Sequence, residues 1–310
     1  LNHSRFLCVA KGLFSFYHPL ILPMSLFGTG YFGKALYEKL SPANDIVAFT
    51  SNYIKENETE LFGLPVLSPE KAISEYSFDA VVIASTTGAE DIFQQCRRLG
   101  VPENQIISSY AQAPMESRRI FLRNLADILD SYEKDADVAE AGVFQGEFAK
   151  WINQFFPNRV LHLFDTFQGF HPDEMLGDKR RSFSTAQSQS YYSDTSVDLV
   201  MGKMPYPEQC RVYKGYFPAT AREVNSKFCF VNLDLDLYEP TYQGLCFFQH
   251  KMTEHGVILV HDYYSLYDAG EYKGVKAAVD RFLAEYSGDI QKYPIGDGYS
   301  IMLTGHWTIQ

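Results

Sequence analysis

Short runs of β-branched and aromatic residues alternate with longer amphipathic stretches from residue 24 onward, and that alternation commits the chain to an α/β architecture with helices covering largely parallel sheets. Strands are expected at Asp137–Val143, Arg159–Phe164, Cys210–Lys214, Phe228–Asp234 and Val257–His261. Helices fall over Glu147–Phe156 and Tyr242–Met252, and then over Val275–Tyr286, where Val275, Ala278, Val279, Phe282 and Leu283 recur at helical spacing. Such an order makes a doubly wound sheet. Ile290–Tyr293 and Ser300–Thr304 follow with no helix between, as a hairpin closing the sheet would. Ser108–Pro114 reads as a linker, followed by a helix carrying Ile120, Phe121, Leu125, Ile128 and Leu129 on one face, so a boundary falls near Ala111. The expected organisation is an N-terminal extension at 1–23 with no assigned structure, a small Rossmann-like domain at 24–110 and a larger one at 111–310.

The 310 residues, 46% apolar and 15% aromatic, suffice for two buried cores. A formal charge of -11 leaves no dense basic stripe for a phosphate backbone, which argues against a nucleic-acid partner. Cys8, Cys96, Cys210, Cys229 and Cys246 form no CxxC pair and lie mostly in apolar stretches, a pattern suited to a reducing cytoplasm. No run reaches the roughly 18 uncharged apolar residues of a bilayer span, so no membrane partner is expected. Arg5, Lys11 and His18-Pro19 interrupt the first segment and no small-residue cleavage site follows, which argues against a signal peptide. Met24 directly precedes the first motif, so residues 1–23 read as an upstream extension.

That motif is Gly28-Thr29-Gly30-Tyr31-Phe32-Gly33, a GxGxxG between the short apolar run Met24–Phe27 and a helical stretch through Leu40. Gly28, Gly30 and Gly33 are candidate cofactor-binding residues, because such glycines allow a tight turn and let backbone amides approach a pyrophosphate. The second strand, however, ends in Thr50-Ser51-Asn52 with no carboxylate for a ribose diol, which weakens the case for NAD. Ala35 after Gly33-Lys34 likewise removes the hydroxyl a P-loop needs. The blocks FGTGYFGK, VAFTSN, FGLPVLS and VVIAST resemble the small Rossmann-like domains placed ahead of sugar-modifying enzymes, which implies a nucleotide-sugar, CoA or dinucleotide ligand, or glycines kept only for packing.

In open α/β sheets ligands lie beyond the carboxyl ends of the strands. The first strand of the larger domain ends in Glu140-Ala141-Gly142-Val143-Phe144-Gln145-Gly146, where Gly142 and Gly146 offer bare backbone and Glu140 a polar hold. The second ends in Asp165, an acid about 20 residues past those glycines, the spacing of a carboxylate that grips a ribose diol. Together these make an adenosine site. Further ends carry Asp234-Leu235-Asp236 and His261-Asp262, so that Asp234, His261 and Asp262 converge beside the cofactor. The trio suits a divalent cation and a hydroxyl to be activated. His261 has three open readings: metal ligand, general base, or hydrogen-bonded core histidine. Asp236 either joins the cluster or turns away to cap the helix at Pro240.

The blocks EAGVFQG, LHLFDTFQGF, VYKGYFPAT, FVNLDLDLYEPT, GVILVHDYY and GVKAAVDRF occur in that order over about residues 138–283, and there the chain resembles the macrocin O-methyltransferase (TylF/MycF-type) family. The resemblance implies a Rossmann-like methyltransferase sheet, S-adenosyl-L-methionine as cofactor, a divalent cation such as magnesium or manganese, and O-methylation of a sugar hydroxyl. The acceptor so implied is a glycosylated metabolite, a nucleotide-sugar or a polysaccharide precursor. The family's metal-dependent members carry two adjacent acids after the fifth strand, and His261 replaces the first of them here.

Two rivals use the same residues differently. A metal-dependent glycosyltransferase would take Asp234-x-Asp236 as its DxD and leave Glu140, Gly142 and Asp165 idle. A nonenzymatic nucleotide-sensing module led by the first domain would leave Asp234 and Asp262 unexplained. Residues 171–196, with Lys179-Arg180-Arg181, read as a lid, Lys214 and Tyr216 as pocket or turn residues, and Tyr272-x-x-x-Lys276 as a chance likeness to a dehydrogenase pair. A homo-oligomer is an open alternative to a monomer.

Overall fold

The structure is a computed structural model that describes residues 23–54, 59–85, 88–133, 135–183, 192–264, 273–286 and 288–307. The extension at 1–23 apart from Pro23, the middle of the expected lid at 184–191, and Tyr272 lie outside the described residues. The chain divides into two units, one ending at Ser108 and one beginning at Ser109.

Apolar runs such as Leu26-Phe27, Ala48-Phe49 and Ala80–Ile83 are buried in the first unit, as parallel strands covered by helices must be. Its elements are β1 (Pro23–Phe27), α1 (Tyr31–Leu40), β2 (Asp45–Thr50), β3 (Glu60–Leu61), β4 (Leu64–Leu67), α2 (Pro69–Glu75), β5 (Ala80–Ile83), α3 (Ala89–Arg98) and β6 (Ile106–Ile107). The sheet order is β3-β4-β2-β1-β5-β6, parallel except for the β3–β4 pair.

The second unit opens with α4 (Ser109–Tyr132), which corrects the linker reading of Ser108–Pro114. Pro114, the sixth residue of this helix, cannot donate to the Tyr110 carbonyl one turn back, and the helix continues through it. Its buried face is Arg118, Leu122, Leu125, Ala126 and Leu129, whereas Ile120 and Ile128 are exposed at 40% and 55%. Then follow β7 (Asp137–Ala141), α5 (Ala149–Phe155), β8 (Leu161–Asp165), α6 (Pro172–Arg180), α7 (Val197–Met201), β9 (Cys210–Lys214), β10 (Phe228–Leu233), α8 (Tyr238–Phe248), β11 (Met252–Val260), α9 (Lys273–Glu285), β12 (Ile290–Pro294) and β13 (Ile301–Gly305). The sheet runs β12-β13-β11-β10-β7-β8-β9. Strands β7 to β11 are parallel, while β13 lies antiparallel on β11 and forms the expected hairpin with β12.

Strand order reverses at β7, which pairs with β8 on one side and β10 on the other, so the carboxyl ends of β7 and β10 flank the crevice where a doubly wound sheet binds ligands. One core lies on each face of this sheet. Leu163, Phe230 and Leu259 point to the side of α4 and α5, and Phe164, Val231 and Ile258 to the side of α8 and α9.

Candidate active site at the switch point

Gly142 follows β7 at a place where β10 passes so closely that a Cβ would stand 1.8 Å from the Asp234 carbonyl oxygen, and its φ is +85°, so only glycine meets both demands. Glu140, two residues earlier, is buried, with Oε1 accepting from Asn232 Nδ2 at 2.8 Å and Oε2 left without a partner. Burial, followed by the nearby charge of Asp234, pushes its carboxyl well above the ordinary range. A buried carboxyl with one unused oxygen is equipped to meet the polar edge of a ligand.

Asp165 ends β8 and is held by three backbone donors: Val143 N–H at 2.7 Å and Phe144 N–H at 2.9 Å on Oδ2, and Phe167 N–H at 2.6 Å on Oδ1. It therefore clamps the glycine turn, a task the sequence did not reveal. Phe144 and Phe167 adopt left-handed backbone at φ +49° and +53°, and Asp165 bonds to both. Strain of about 1–3 kcal/mol per such residue is offset there, beside the crevice. Gly146 has a φ of +78°, and a Cβ on it would meet Val200 at 3.1 Å and Met204 at 3.3 Å, so backbone conformation and packing both favour glycine there.

Register carries the remaining residues together. Leu233 pairs with Ala141 and with Val260, so Asp234 and His261 leave adjacent strands at one height. The ligand-capable atoms of Asp234, His261 and Asp262 all lie within 4.8 Å of one another. His261 sets Nε2 at 3.5 Å from Asp262 Oδ1 and Nδ1 at 3.0 Å from Ser300 Oγ. Asp236 turns into this cluster, sharing a hydrogen bond with Asp262. Burial, then the charges of Asp262 and Asp234, hold its carboxyl well above the ordinary range. Of the two readings open for Asp236 this is the first; at the start of α8 it is Asp178 whose Oδ2 accepts the Tyr238 N–H, at 2.9 Å.

Sequence reasoning missed Arg118 altogether. Its side chain is 4% exposed, donates to Asn232 Oδ1 at 3.0 Å and Asp234 Oδ2 at 3.2 Å, and lies over the Phe148 ring at 4.1 Å. An arginine inside an otherwise amphipathic helix is a signal, but its partner stands 116 residues away. Lys214, the last residue of β9, and Tyr216 beyond it are exposed, with Tyr216 edge-on to the His171 ring at 4.5 Å.

The glycines of the first unit separate by role. A Cβ on Gly28 would stand 2.1 Å from the Ala84 carbonyl oxygen, and one on Gly33 2.1 Å from that of Gly28, so close packing accounts for both. Gly30 faces open space. Asn52, where a ribose-binding acid is absent, exchanges two hydrogen bonds with Gln95, at 2.9 and 2.8 Å.

In the first turn of α6, Glu174 is pushed up to about 7 by burial and by the charges of Glu239, Asp178 and Asp173. Its folded carboxyl titrates above the unfolded one, so the native state holds the extra proton. The associated stability is full below the unfolded value and is lost as pH rises toward about 7. Glu174→Gln should leave the melting temperature unchanged near pH 4 and raise it by a few degrees near pH 8, an effect of about 1–2 kcal/mol after allowance for solvent screening. Melts at the two pH values check this, and an equal shift at both would refute it.

A doubly wound sheet with bare backbone, an unpartnered buried acid and converging polar strand ends at its switch point has the form of a Rossmann-like enzyme site for a nucleotide-type cofactor. The profile described as macrocin-O-methyltransferase (TylF) matches residues 104–290, and the chain belongs to that family; it is an S-adenosylmethionine-dependent O-methyltransferase. A second profile, C2185-like, N-terminal, matches residues 24–107. No curated protein matches the chain significantly in sequence. Among solved structures, the O-methyltransferase NovP is 20% identical, with a TM-score of 0.48 over 61% of this chain and 80% of its own. The calicheamicin methyltransferase CalS11 is 15% identical, with a TM-score of 0.49 over 71% of this chain and 90% of its own.

Proposed function

We propose that the enzyme methylates a sugar hydroxyl, on a glycosylated metabolite, a nucleotide-sugar or a polysaccharide precursor, and that Asp234, His261 and Asp262 act with a divalent cation. The observation that carries the reading is the convergence of these three side chains within 4.8 Å, on strand ends beside Gly142 and Glu140. Family membership supports it against a glycosyltransferase that would use Asp234-x-Asp236. A cytoplasmic enzyme with a small-molecule acceptor fits the acidic chain, and no described helix is long and apolar enough to cross a membrane.

The cofactor supplies a methyl group on a sulfonium sulfur. Glu140 and the bare backbone at Gly142 would hold its polar edges, and Asp165 would accept from a ribose hydroxyl with the lone pairs its backbone bonds leave free. The surrounding acids Asp165, Asp234 and Asp262 favour a cationic group electrostatically. A divalent ion would lower the pKa of an acceptor hydroxyl. Asp234 and Asp262 would orient that hydroxyl, and His261 would either hold the ion or take the proton. Placing nucleophile and methyl in line would supply much of the acceleration.

Asp165→Ala should weaken S-adenosylhomocysteine binding by about 1.5–3 kcal/mol, roughly 10- to 150-fold. Calorimetry checks this, and unchanged affinity removes Asp165 from the site. For the cation, activity should disappear with chelator and return better with manganese than with magnesium, because imidazole suits the softer ion. His261→Asp should shift the preference toward magnesium. Full methyl transfer in excess chelator, lost in His261→Ala, would instead make His261 a metal-free base.

A further inference from the structure

His261 is held from behind by a loop that the reaction as described does not use. The β12–β13 connection reads Ile295-Gly296-Asp297-Gly298-Tyr299-Ser300, and Gly296 and Gly298 have φ of +87° and +83°. These two left-handed glycines fold the loop back so that the Asp297 carboxylate points inward, where the residue is only 4% exposed. Asp297 Oδ1 accepts the N–H groups of Tyr299 at 2.9 Å and Ser300 at 2.8 Å, and Oδ2 accepts the Ser300 hydroxyl at 2.5 Å. Val260 pairs with Ile301, so Ser300 stands opposite His261. The Tyr264 N–H donates to the Tyr299 carbonyl at 2.8 Å and pins the loop to the turn that carries His261 and Asp262.

The Ser300 hydroxyl has one proton, and Asp297 takes it. Toward His261 Nδ1, 3.0 Å away, Ser300 Oγ is therefore an acceptor, and Nδ1 must carry the proton of the neutral ring. We propose that Asp297 and Ser300 are positioning residues that lock His261 in its Nδ1–H tautomer, against the pull of Asp262 Oδ1 at 3.5 Å toward an Nε2–H, and so turn the Nε2 lone pair to the reacting centre. Without this relay the ring could turn its N–H toward the site and offer neither a ligand atom nor a basic nitrogen. The relay is what lets a histidine work where the family resemblance places an acid, since a carboxylate has no tautomer to select. Its benefit to a bound ion rests on the cation reading above; the tautomer itself does not.

The test is long-range nitrogen–proton NMR on histidine-labelled, chelator-treated protein at about pH 8.5, above the ordinary imidazole range. His261→Gln identifies the signal among the eight histidines. The wild type should show Nδ1–H, and Ser300→Ala a mixture of tautomers. Asp297→Asn should invert the ring to Nε2–H, because an amide NH2 facing Ser300 Oγ frees the hydroxyl to donate to Nδ1. Manganese affinity, read by paramagnetic resonance, should fall about 10- to 100-fold in Ser300→Ala, as for other residues that orient a metal-binding histidine. In a His261→Asp background the same Ser300→Ala change should have no measurable effect on that affinity. An Nε2–H ring in the wild type, or a tautomer unmoved by both Ser300→Ala and Asp297→Asn, would overturn the relay. Expected tautomers with no manganese binding to the wild type would overturn the cation reading and leave the relay standing.

Discussion

Asp234→Asn should give a protein that binds S-adenosylhomocysteine within about threefold of the wild type yet transfers methyl about 10²- to 10⁴-fold more slowly, the usual loss when a positioned acid–base or charged group is removed. Asparagine preserves the shape that fits beside Gly142 and the backbone bond from Asp234 N–H to the Ala141 carbonyl, so the crevice keeps its form. What it removes is negative charge at the point where His261 and Asp262 converge. Isothermal calorimetry and single-turnover methyl transfer separate the two effects. Equal losses in binding and rate would move Asp234 into the cofactor pocket.

Arg118→Met should cost about 3–5 kcal/mol of stability, the range found when one member of a buried ion pair is removed, and lower the melting temperature by roughly 6–20 °C. Methionine fills the space against Phe148, so the loss would come from charge. Asp234 loses its cation, Asn232 Oδ1 loses a donor, and Glu140 loses the positive charge that opposes its own burial. If the cluster holds a metal, adding manganese should recover part of this loss, because the ion takes over the charge that Arg118 now balances. A melting temperature close to that of the wild type would mean that Arg118 only packs. Recovery with sodium at equal ionic strength would point to screening instead of a site.

The parallel strands could be read from the sequence because a strand buried on both faces is a continuous apolar run, and β9 was legible to its end residues. Asp234, His261 and Asp262 were legible for the same reason: polar residues that stop such runs must lie at the carboxyl edge, and the switch rule says what gathers there. α4 was misread because a proline inside a helix counts as a breaker, although the helix runs through Pro114, and because Ile120 and Ile128 resemble a core face that Arg118 in fact occupies. Gly146, Gly28 and Gly33 show why a glycine motif alone is ambiguous. The spacing that would admit a ligand also admits a second backbone or a neighbouring helix. Asn232, Asp297 and Ser300 were invisible, since each looks like an ordinary strand or turn residue until sheet register brings it to its partner. Asp165 was found for its position, while its hold on the glycine turn needed coordinates.

Mass spectrometry of reactions that contain methyl-labelled S-adenosylmethionine and a panel of nucleoside-diphosphate sugars and glycosides tests the central claim most directly. The account predicts one labelled methyl on a sugar hydroxyl of at least one acceptor, formed in step with S-adenosylhomocysteine and absent with Asp234→Asn. Label on a nitrogen, a carboxylate or a base, or transfer to a sugar that persists undiminished in Asp234→Asn, would contradict it.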